Sequence, residues 1–398
     1  MKHSIETDIA IIGGGIAGLW ILNRVRQAGF SAVLLECDML GSSQTSKAQG
    51  IIHGGMKYAL QGSVTQSTRA IADMPTRWKK CLAGTGEIDL SKVPILSSQQ
   101  YLWSTKSLAS KLSSMLAGIT LKSGTETLSK DQFPEIFRNA HFKGQVIALD
   151  EVVLDVHALL FALMKSHQDV IFKIDRDQDV VLDANDHLAS FRVQSKPMKP
   201  LEVKAQKYIF TSGVGNALIL KKFCLTSLEM QRRPLHMVIV KHEISTPLYG
   251  HCLGLSQVPR MTITTHRAQD GKYIWYLGGQ IAETGVKRDK NTQIEMAKNE
   301  LNDIFPWLDF SKAQYASFMI DRAENKEPLG ARPSSCFVKE VGNIMIAWPT
   351  KLAFAPKLAD QVMDLLQNAK IKPNLCDTRP CSGWPMPAVA SPPWEQLF

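Results

Sequence analysis

The hydrophobic pattern near the amino end of the chain changes from a continuous apolar run to a helical period. Asp8–Ile12 is apolar after its first residue, which is typical of a central parallel strand buried on both faces. From Ile16 to about Ala28 apolar residues recur at helical spacing, and Gly29 follows as a helix C-cap should. Ala32–Leu35 predicts a second strand. This stretch is therefore predicted to fold as strand, tight turn, helix and strand.

The rest of the chain shows shorter periodic segments. Strands are predicted at Val170–Ile174, Val180–Leu182, Ala189–Val193, Met237–Val240, Met261–His266, Tyr273–Gly279 and Asn343–Trp348. Helices are predicted at Arg69–Leu82, after an N-cap at Asp155, at Glu295–Phe305 and at Ala355–Gln367. The proline-rich tail from Pro373 excludes regular helix and central strand, and it predicts an extended arm laid over the surface.

The first turn carries a nucleotide-binding pattern. Gly13, Gly15 and Gly18 fit G-x-G-x-x-G, with glycines for the turn, for close approach to a pyrophosphate and for helix packing. The phosphates would lie at the helix amino end, at Ile16 and Ala17. Glu36 ends the second strand, where an acid accepts hydrogen bonds from a ribose. The alternative is a glycine turn with a structural role alone.

Composition limits the class of protein. The 398 residues suit two domains, and 44% hydrophobic with 21% charged residues is typical of a soluble globular protein. The net charge of +9 favours an anionic substrate or an anionic membrane surface, with a scattered solvated surface as the alternative. The chain has neither the ligand spacing of a zinc site nor an aromatic-basic sheet motif. Nothing in the sequence therefore indicates a nucleic-acid partner.

Seven cysteines at irregular spacing indicate a reducing compartment. Cys376 and Cys381 are a close pair, but their spacing matches no metal site. We find no signal peptide before the first strand and no apolar run long enough to span a bilayer. The sequence thus predicts a cytoplasmic protein, and its basic charge allows peripheral membrane contact at the inner face.

A segment rich in hydroxyl residues and glycine, Ser42–Tyr58, carries a family resemblance. It resembles the second flavin motif of FAD-dependent oxidoreductases of the D-amino-acid oxidase and glycerol-3-phosphate dehydrogenase superfamily. The dehydrogenase branch has a Ser/Thr-rich run, I-H-G-G and a basic-Tyr pair, which Ile52-His53-Gly54-Gly55 and Lys57-Tyr58 match. A related I-H-x-G block occurs in the 2-hydroxyglutarate dehydrogenase-like branch.

The resemblance implies an α/β (α+β mixed) protein, in which a Rossmann-like FAD-binding domain has an inserted mixed-sheet substrate domain. The FAD-binding domain would comprise residues 1–85, 150–225 and 320–370, the substrate domain 86–149 and 226–319, and the arm 371–398. FAD is the implied cofactor. Its implied contacts are Gly13, Gly15, Ile16, Ala17, Gly18, Glu36, Ser43, Thr45, Ser46, Gly50, Ile52, His53, Gly213, Lys351 and Leu352.

Three side chains are candidates for the chemistry. His53 is a general base, a histidine that only packs beside the flavin ring, or a covalent attachment point. His266 lies on a strand of the sheet that commonly forms the substrate pocket in this family. Arg322, before the Pro328-Leu329-Gly330 turn, resembles the family arginine that pairs with the substrate's anionic group, and a structural ion pair is its alternative.

One segment departs from the family pattern. The family joins its last strand to its last helix by a turn of small residues, whereas this chain has Trp348-Pro349-Thr350-Lys351-Leu352-Ala353. Lys351 could supply the positive charge that the helix amino end gives to the flavin pyrimidine edge.

The resemblance implies oxidation of a small anionic substrate, a 2-hydroxy acid or a glycerol-phosphate-like compound, by hydride transfer to flavin N5. Oxygen or a quinone would be the electron acceptor. An amino-acid or amine oxidase of the same superfamily is the first alternative. A non-catalytic flavin-binding subunit is the alternative of another class.

Overall fold

The computed structural model describes residues 4–55, 71–105, 125–176, 179–183, 187–196, 198–256, 258–373 and 383–398. The basic-Tyr pair of the flavin motif, Lys57 and Tyr58, lies outside these ranges. So do Cys376 and Cys381.

Eighteen strands and eight α-helices are formed in these ranges. The strands are β1 Ser4–Ile12, β2 Ala32–Glu36, β3 Ile95–Ser97, β4 Gln100–Trp103, β5 Thr125–Thr127, β6 Val146–Leu149, β7 Val153–Leu154, β8 Ile171–Lys173, β9 Asp179–Leu182, β10 Leu188–Val193, β11 Leu201–Phe210, β12 Met230–His242, β13 Gly250–Cys252, β14 Met261–Arg267, β15 Tyr273–Gly278, β16 Gln314–Asn325, β17 Phe337–Val341 and β18 Ile344–Trp348. The helices are α1 Ile16–Gln27, α2 Met74–Leu82, α3 Val156–Lys165, α4 Asn216–Lys222, α5 Gln280–Thr284, α6 Lys290–Ile304, α7 Ala355–Asn368 and α8 Trp394–Leu397.

The first sheet is built around β1. Its order is β17-β18-β11-β1-β2-β8, with β10 and β9 added beside β11. β1 pairs in parallel with β2 and β11, and β18 pairs in parallel with β11. Residues of α1, α3 and α7 pack on one face, and a second apolar cluster covers the other. The continuous apolar run of β1 is therefore buried on both sides, as the pattern predicted.

The second sheet has the order β16-β12-β15-β14-β13-β4-β6-β5 and is largely antiparallel. One face packs against α6 through an aromatic core that includes Trp103, Trp275 and Phe305. The β14–β15 hairpin turns at Asp270-Gly271, and Gly271 has φ +80°. This confirms the hairpin prediction. The mixed α/β class is confirmed as well, whereas the domain boundaries stay a prediction.

Several predicted elements have different bounds. β1 begins four residues before Asp8, β12 extends from Met230 to His242, and α6 begins at Lys290 rather than Glu295. The N-cap prediction is confirmed, because the Asp155 carboxylate accepts a hydrogen bond from the Ala158 N–H at 2.9 Å. The added residues of β1 and β12 include polar ones, which pair with strands that are distant in sequence.

The described part of the arm, residues 383–398, differs from its prediction. It ends in a short helix, α8, where a regular helix was excluded. Val389 forms a parallel bridge to Leu40, and Trp394 is buried in an apolar cluster of the second sheet. The arm is thus anchored at both sheets rather than laid over the surface, because its aromatic ring gains apolar contacts there.

None of the described helices combines the length and the apolar character that crossing a bilayer requires.

Candidate active site

The glycine turn after β1 is closed too tightly for side chains. Gly13 has φ +113°, and a Cβ added at Gly18 would lie 2.0 Å from the Gly13 carbonyl oxygen. The helix that follows, α1, has no acidic residue in its first turn and no side-chain cap. The turn therefore leaves room for an anionic group against helix N–H groups, as FAD's pyrophosphate needs.

Two side chains complete this end of the site. Glu36 lies at the carboxyl end of β2, and its carboxylate accepts hydrogen bonds from the N–H groups of Gly14 at 2.6 Å and Asp38 at 2.8 Å. Thr45 Oγ1 accepts a hydrogen bond from the Ile16 N–H at 3.1 Å, which brings the hydroxyl-rich loop to the start of α1. The glycine turn, the helix amino end without acidic side chains and the acid at the second strand end together fit an adenosine diphosphate moiety.

A cavity of about 240 Å³ lies on the face of the second sheet. Its lining comes from the loop of the flavin motif, the strands of the second sheet, the helix α5, the segment after β16 and the turn after β18. The lining residues include Gln49, Gly50, Ile51, His53, Met237, His251, Thr262, Gly278, Glu283, Arg322, Glu324, Arg332, Thr350, Lys351 and Leu352. The cavity thus joins the predicted flavin-ring residues to charged side chains of the sheet.

His53, Glu151 and His251 meet at one wall of the cavity region. His53 Nδ1 lies 3.3 Å from a Glu151 carboxylate oxygen, and the other oxygen accepts the Gly54 N–H at 2.6 Å. The His53 and His251 rings stack with centroids 5.5 Å apart at an interplanar angle of 28°. Because an ionised carboxylate accepts but does not donate, a hydrogen bond between these two atoms requires the proton on His53 Nδ1.

The same three side chains are of the types that bind metal ions. Their ligand atoms lie within 4.8 Å of one another. The nitrogen lone pairs of an imidazole lie in the ring plane, so two nearly parallel rings direct them side by side rather than toward one point. The arrangement favours hydrogen bonding and proton transfer over chelation.

Arginines and glutamates form the charged wall of the cavity. Arg322 and Arg233 stand directly opposite each other on β16 and β12. Glu283 lies 2.7 Å from Arg332, 3.6 Å from Arg322 and 3.8 Å from Arg233. Glu324 is nearly fully buried and lies 3.3 Å from Arg233. We call these five residues the arginine–glutamate cluster.

Within the arginine–glutamate cluster, the surroundings of Arg322 disfavour its positive charge. Burial, and then the positive charges of Arg233 and Arg332, lower its pKa to about 10, and Glu283 and Glu324 oppose the shift. Among the described residues its guanidinium donates one hydrogen bond, from Nε to the Arg233 carbonyl oxygen at 3.1 Å. Its terminal amino groups are therefore placed to bind an anion in the cavity.

The turn after β18 is unusual in its backbone. Thr350 has φ +58°, a left-handed conformation that is rare for a β-branched residue. Its hydroxyl donates to the Ser335 carbonyl oxygen at 3.0 Å. Lys351 and Leu352 follow at the cavity wall, and the Lys351 ammonium lies 5.2 Å from the centre of the Phe354 ring. Strain of this kind is often retained at functional sites.

The structure brings some predicted residues together and separates others. Gly50, His53, Arg322, Lys351 and Leu352 line the cavity. Gly13, Gly15, Ile16, Ala17, Gly18, Glu36 and Thr45 belong to the glycine turn and its neighbours. Ser43 is exposed and Ile52 is buried. Gly213, with φ +57°, accepts a hydrogen bond from Trp348 Nε1.

His266 lies away from the cavity, although Thr262 on the same face of β14 lines it. Four residues along a strand span about 13 Å. His266 stacks on Trp394 at 4.3 Å and, with Ser46, lines a separate small cavity beneath the arm. Burial lowers its pKa to about 3. His236 is buried and hydrogen-bonded to Ser317, which gives it a structural role.

The sequence did not single out Glu151, His251, Arg233, Glu324 or Arg332. Glu151 has no local motif, since it approaches His53 through an isolated antiparallel bridge between Ile51 and Val153. The arginines carry a weak signal, because Arg232-Arg233 precedes a strand that crosses to the substrate sheet. Their pairing partners lie far away in sequence.

Comparison with known proteins gives a consistent family. A family model described as FAD dependent oxidoreductase (DAO) matches residues 8–337. A probable FAD-dependent oxidoreductase of Pseudomonas aeruginosa, PA4991, is 43% identical over 399 residues, which cover 100% of both chains. The crystal structure of PA4991 superposes with a TM-score of 0.86 at 40% identity, covering 100% of this chain and 99% of that one.

More distant structures share the fold alone. L-alpha-glycerophosphate oxidase from Mycoplasma pneumoniae, solved with FAD bound, has a TM-score of 0.61 at 14% identity and covers 91% of this chain and 95% of its own. Glycine oxidase from Geobacillus kaustophilus has a TM-score of 0.62 at 14% identity, covering 94% and 98%. One of these relatives is named for a hydroxyl substrate and the other for an amine.

Proposed function

The chain belongs to the DAO family of FAD-dependent oxidoreductases, and from that premise we propose that it oxidises a small anionic substrate at a carbon bearing a hydroxyl group. A 2-hydroxy acid or a glycerol-phosphate-like compound is the substrate class. The chain is an enzyme of this family, which leaves the non-catalytic subunit without support.

The cofactor is FAD. Gly13, Gly15 and Gly18 would hold its pyrophosphate and Glu36 its ribose, while Gly50 and Lys351 line the cavity that would take the ring. Bound FAD supplies a two-electron acceptor for a hydride. Lys351 supplies positive charge at the end of that cavity.

The single observation that carries the proposed substrate class is the position of Arg322. Its guanidinium is largely buried, lies close to two other arginines and lines the cavity, with one terminal nitrogen 3.6 Å from Glu283. A carboxylate or phosphate would bind this fork through two parallel hydrogen bonds. The anion would thereby fix the reacting carbon relative to the ring.

His53 is the proposed base. With Nδ1 protonated toward Glu151, neutral His53 carries its lone pair on Nε2. A hydroxyl group must lose its proton as the hydride leaves, and an imidazole is suited to take it near neutral pH. An amine that reacts in its neutral form needs no such base when its hydride leaves. The histidine therefore favours a hydroxyl substrate.

Amine oxidation is the second candidate, and Glu283 and Glu324 favour it. Both carboxylates line the same cavity as Arg322. A substrate ammonium could pair with one of them while its carboxylate binds Arg322.

The electron acceptor is proposed to be oxygen or a quinone. A quinone would require peripheral contact of the basic protein surface with a membrane.

Anaerobic titration of the yellow holoenzyme tests the proposal. We expect 2-hydroxy acids or polyol phosphates to bleach the flavin absorbance, and amino acids to leave it oxidised. Bleaching by amino acids, with ammonia as product, would instead select the amine oxidase. A flavin that stays oxidised with every anionic alcohol and amine would contradict both.

A further inference from the structure

We propose that Glu151 is a positioning residue of the reaction, which acts through His53. Its buried carboxylate fixes His53 in the tautomer with the proton on Nδ1, so that Nε2 takes the hydroxyl proton of the substrate. The inference rests on the proposed oxidation of an alcohol.

The Glu151 carboxylate is buried, and each of its two oxygens has a contact within the protein. Its side chain is 2% exposed, against 18% for His53. One oxygen accepts the backbone N–H of Gly54 at 2.6 Å, which leaves the other to face His53 Nδ1 at 3.3 Å. A carboxylate that accepts a backbone hydrogen bond is held in place and in orientation.

The chain brings Glu151 to His53 by a short antiparallel contact. Ile52 N–H donates to the Val152 carbonyl oxygen at 3.0 Å, and Leu154 N–H donates to the Gly50 carbonyl oxygen at 2.9 Å. Gly50 has φ +74°, and a Cβ there would lie 2.1 Å from the Leu154 carbonyl oxygen. Gly50 is thus needed for this approach as well as lining the cavity.

His251 holds the ring of His53 from its face. The two rings stack, and His251 Nδ1 is hydrogen-bonded to Thr262 Oγ1 at 2.9 Å. The His53 ring therefore has Glu151 at its edge and His251 against its face.

With a secondary alcohol as substrate, bound FAD would accept a hydride, and with it two electrons, from the carbon. His53 Nε2 would take the proton of the hydroxyl group as the C=O bond forms, so that the substrate is oxidised and FAD reduced. Glu151 keeps its charge throughout and stabilises the imidazolium, which later returns the proton to solvent.

Replacing the carboxylate by an amide tests the inference. We expect Glu151→Gln to lower the rate of anaerobic flavin reduction at saturating substrate by about 10- to 100-fold, because the base contributes roughly 100- to 10,000-fold. The substrate concentration for half-saturation should change by less than about twofold, since Arg322 binds the anion. Glu151→Asp, which keeps the charge, should recover part of the rate. The neighbouring exposed acid provides the matched control, Asp150→Asn, which should react as the unmodified enzyme does.

A second measurement needs no substrate and uses the holoenzyme itself, with one variant to assign the signals. In nitrogen-15 spectra of histidine-labelled holoenzyme, identified by the signals lost in His53→Asn, neutral His53 should carry its proton on Nδ1. A proton on Nε2 instead would overturn the inference, as would a Glu151→Gln enzyme that reduces its flavin at the unmodified rate. Failure of every anionic alcohol to bleach the unmodified enzyme would count against the proposed function, while the spectrum would still decide the role of Glu151.

Discussion

Arg322 and Arg233 face each other across two antiparallel strands, where like charges are normally destabilising. We expect Arg322→Ala to raise the half-saturating substrate concentration by about tenfold or more, because a charge-assisted hydrogen bond contributes about 1.5–3 kcal/mol. Arg322→Lys should recover part of the affinity but lose the planar fork. Steady-state kinetics with FAD content checked would measure both.

The adjacent Arg232 provides the control for this prediction. It is more exposed and pairs with Asp321 on β16 outside the cavity. Arg232→Ala should therefore leave substrate saturation unchanged. Unchanged saturation in Arg322→Ala would show that its pairing with Glu283 is structural.

Thr350 allows a test of backbone strain at the turn after β18. A left-handed conformation costs an L-residue roughly 1–2 kcal/mol. Thr350→Ala keeps that cost and loses the hydrogen bond to Ser335, whereas Thr350→Gly loses the hydrogen bond but relieves the strain. We expect Thr350→Gly to be more stable than Thr350→Ala by about 1 kcal/mol in urea unfolding. The reverse order would mean that the turn holds Thr350 without strain.

At the residue scale, local motifs could be predicted and distant partners could not. Gly13, Glu36 and His53 belong to motifs within a few residues of sequence. Glu151 was missed because the partner of a single bridge has no periodic signal. His266 was placed on a face of the second sheet, but strand alternation does not say how far along the strand a cavity extends.

At the scale of elements, the arm offers the clearest prediction. Trp394 is 8% exposed and packs on His266 and Tyr276. Trp394→Ala should reduce the free energy of unfolding by about 3 kcal/mol, as large aromatic deletions do. It should also speed proteolysis of residues 383–398. The exposed Gln396→Ala is the control, and equal stability of the two variants would mean that the arm adds little.

Elements with uniform apolar periods were predicted well, and elements that mix polar and apolar residues were not. The first strand, helix and second strand follow local pattern, so β2 and α1 agree with their predictions within a residue or so. β12 extends further than predicted, and β16 was not predicted, because their polar residues pair across the sheet. The short helix α8 was missed because prolines precede it, although Pro393 suits the position before a helix.

The whole molecule is expected to lose stability in mild acid. Burial lowers the pKa of His242 to about 4 and that of His266 to about 3. Below pH 6.5 the unfolded chain takes up protons that the folded protein does not, so the free energy of unfolding falls until the pH reaches these values. For each histidine, the free energy of unfolding falls by at most about 1.4 kcal/mol per pH unit.

Denaturant unfolding between pH 7 and about pH 4.5 measures this dependence. We expect the double variant His242→Asn, His266→Asn to show a shallower decline, even if it is less stable at pH 7. A decline as steep as that of the unmodified protein would assign acid sensitivity to other groups. The exposed His141→Asn serves as the control.

The anchoring of residues 383–398 at both sheets has a consequence for biosynthesis. Leu40 exchanges backbone hydrogen bonds with Ala388 and Ala390, and Trp394 joins the second sheet. These residues are translated after every described strand of both sheets, so a ribosome-bound chain can pair those strands before this segment adds its contacts to them. A nascent chain that ends before Ala388 would therefore lack both the backbone partner of Leu40 and the indole ring that packs on His266.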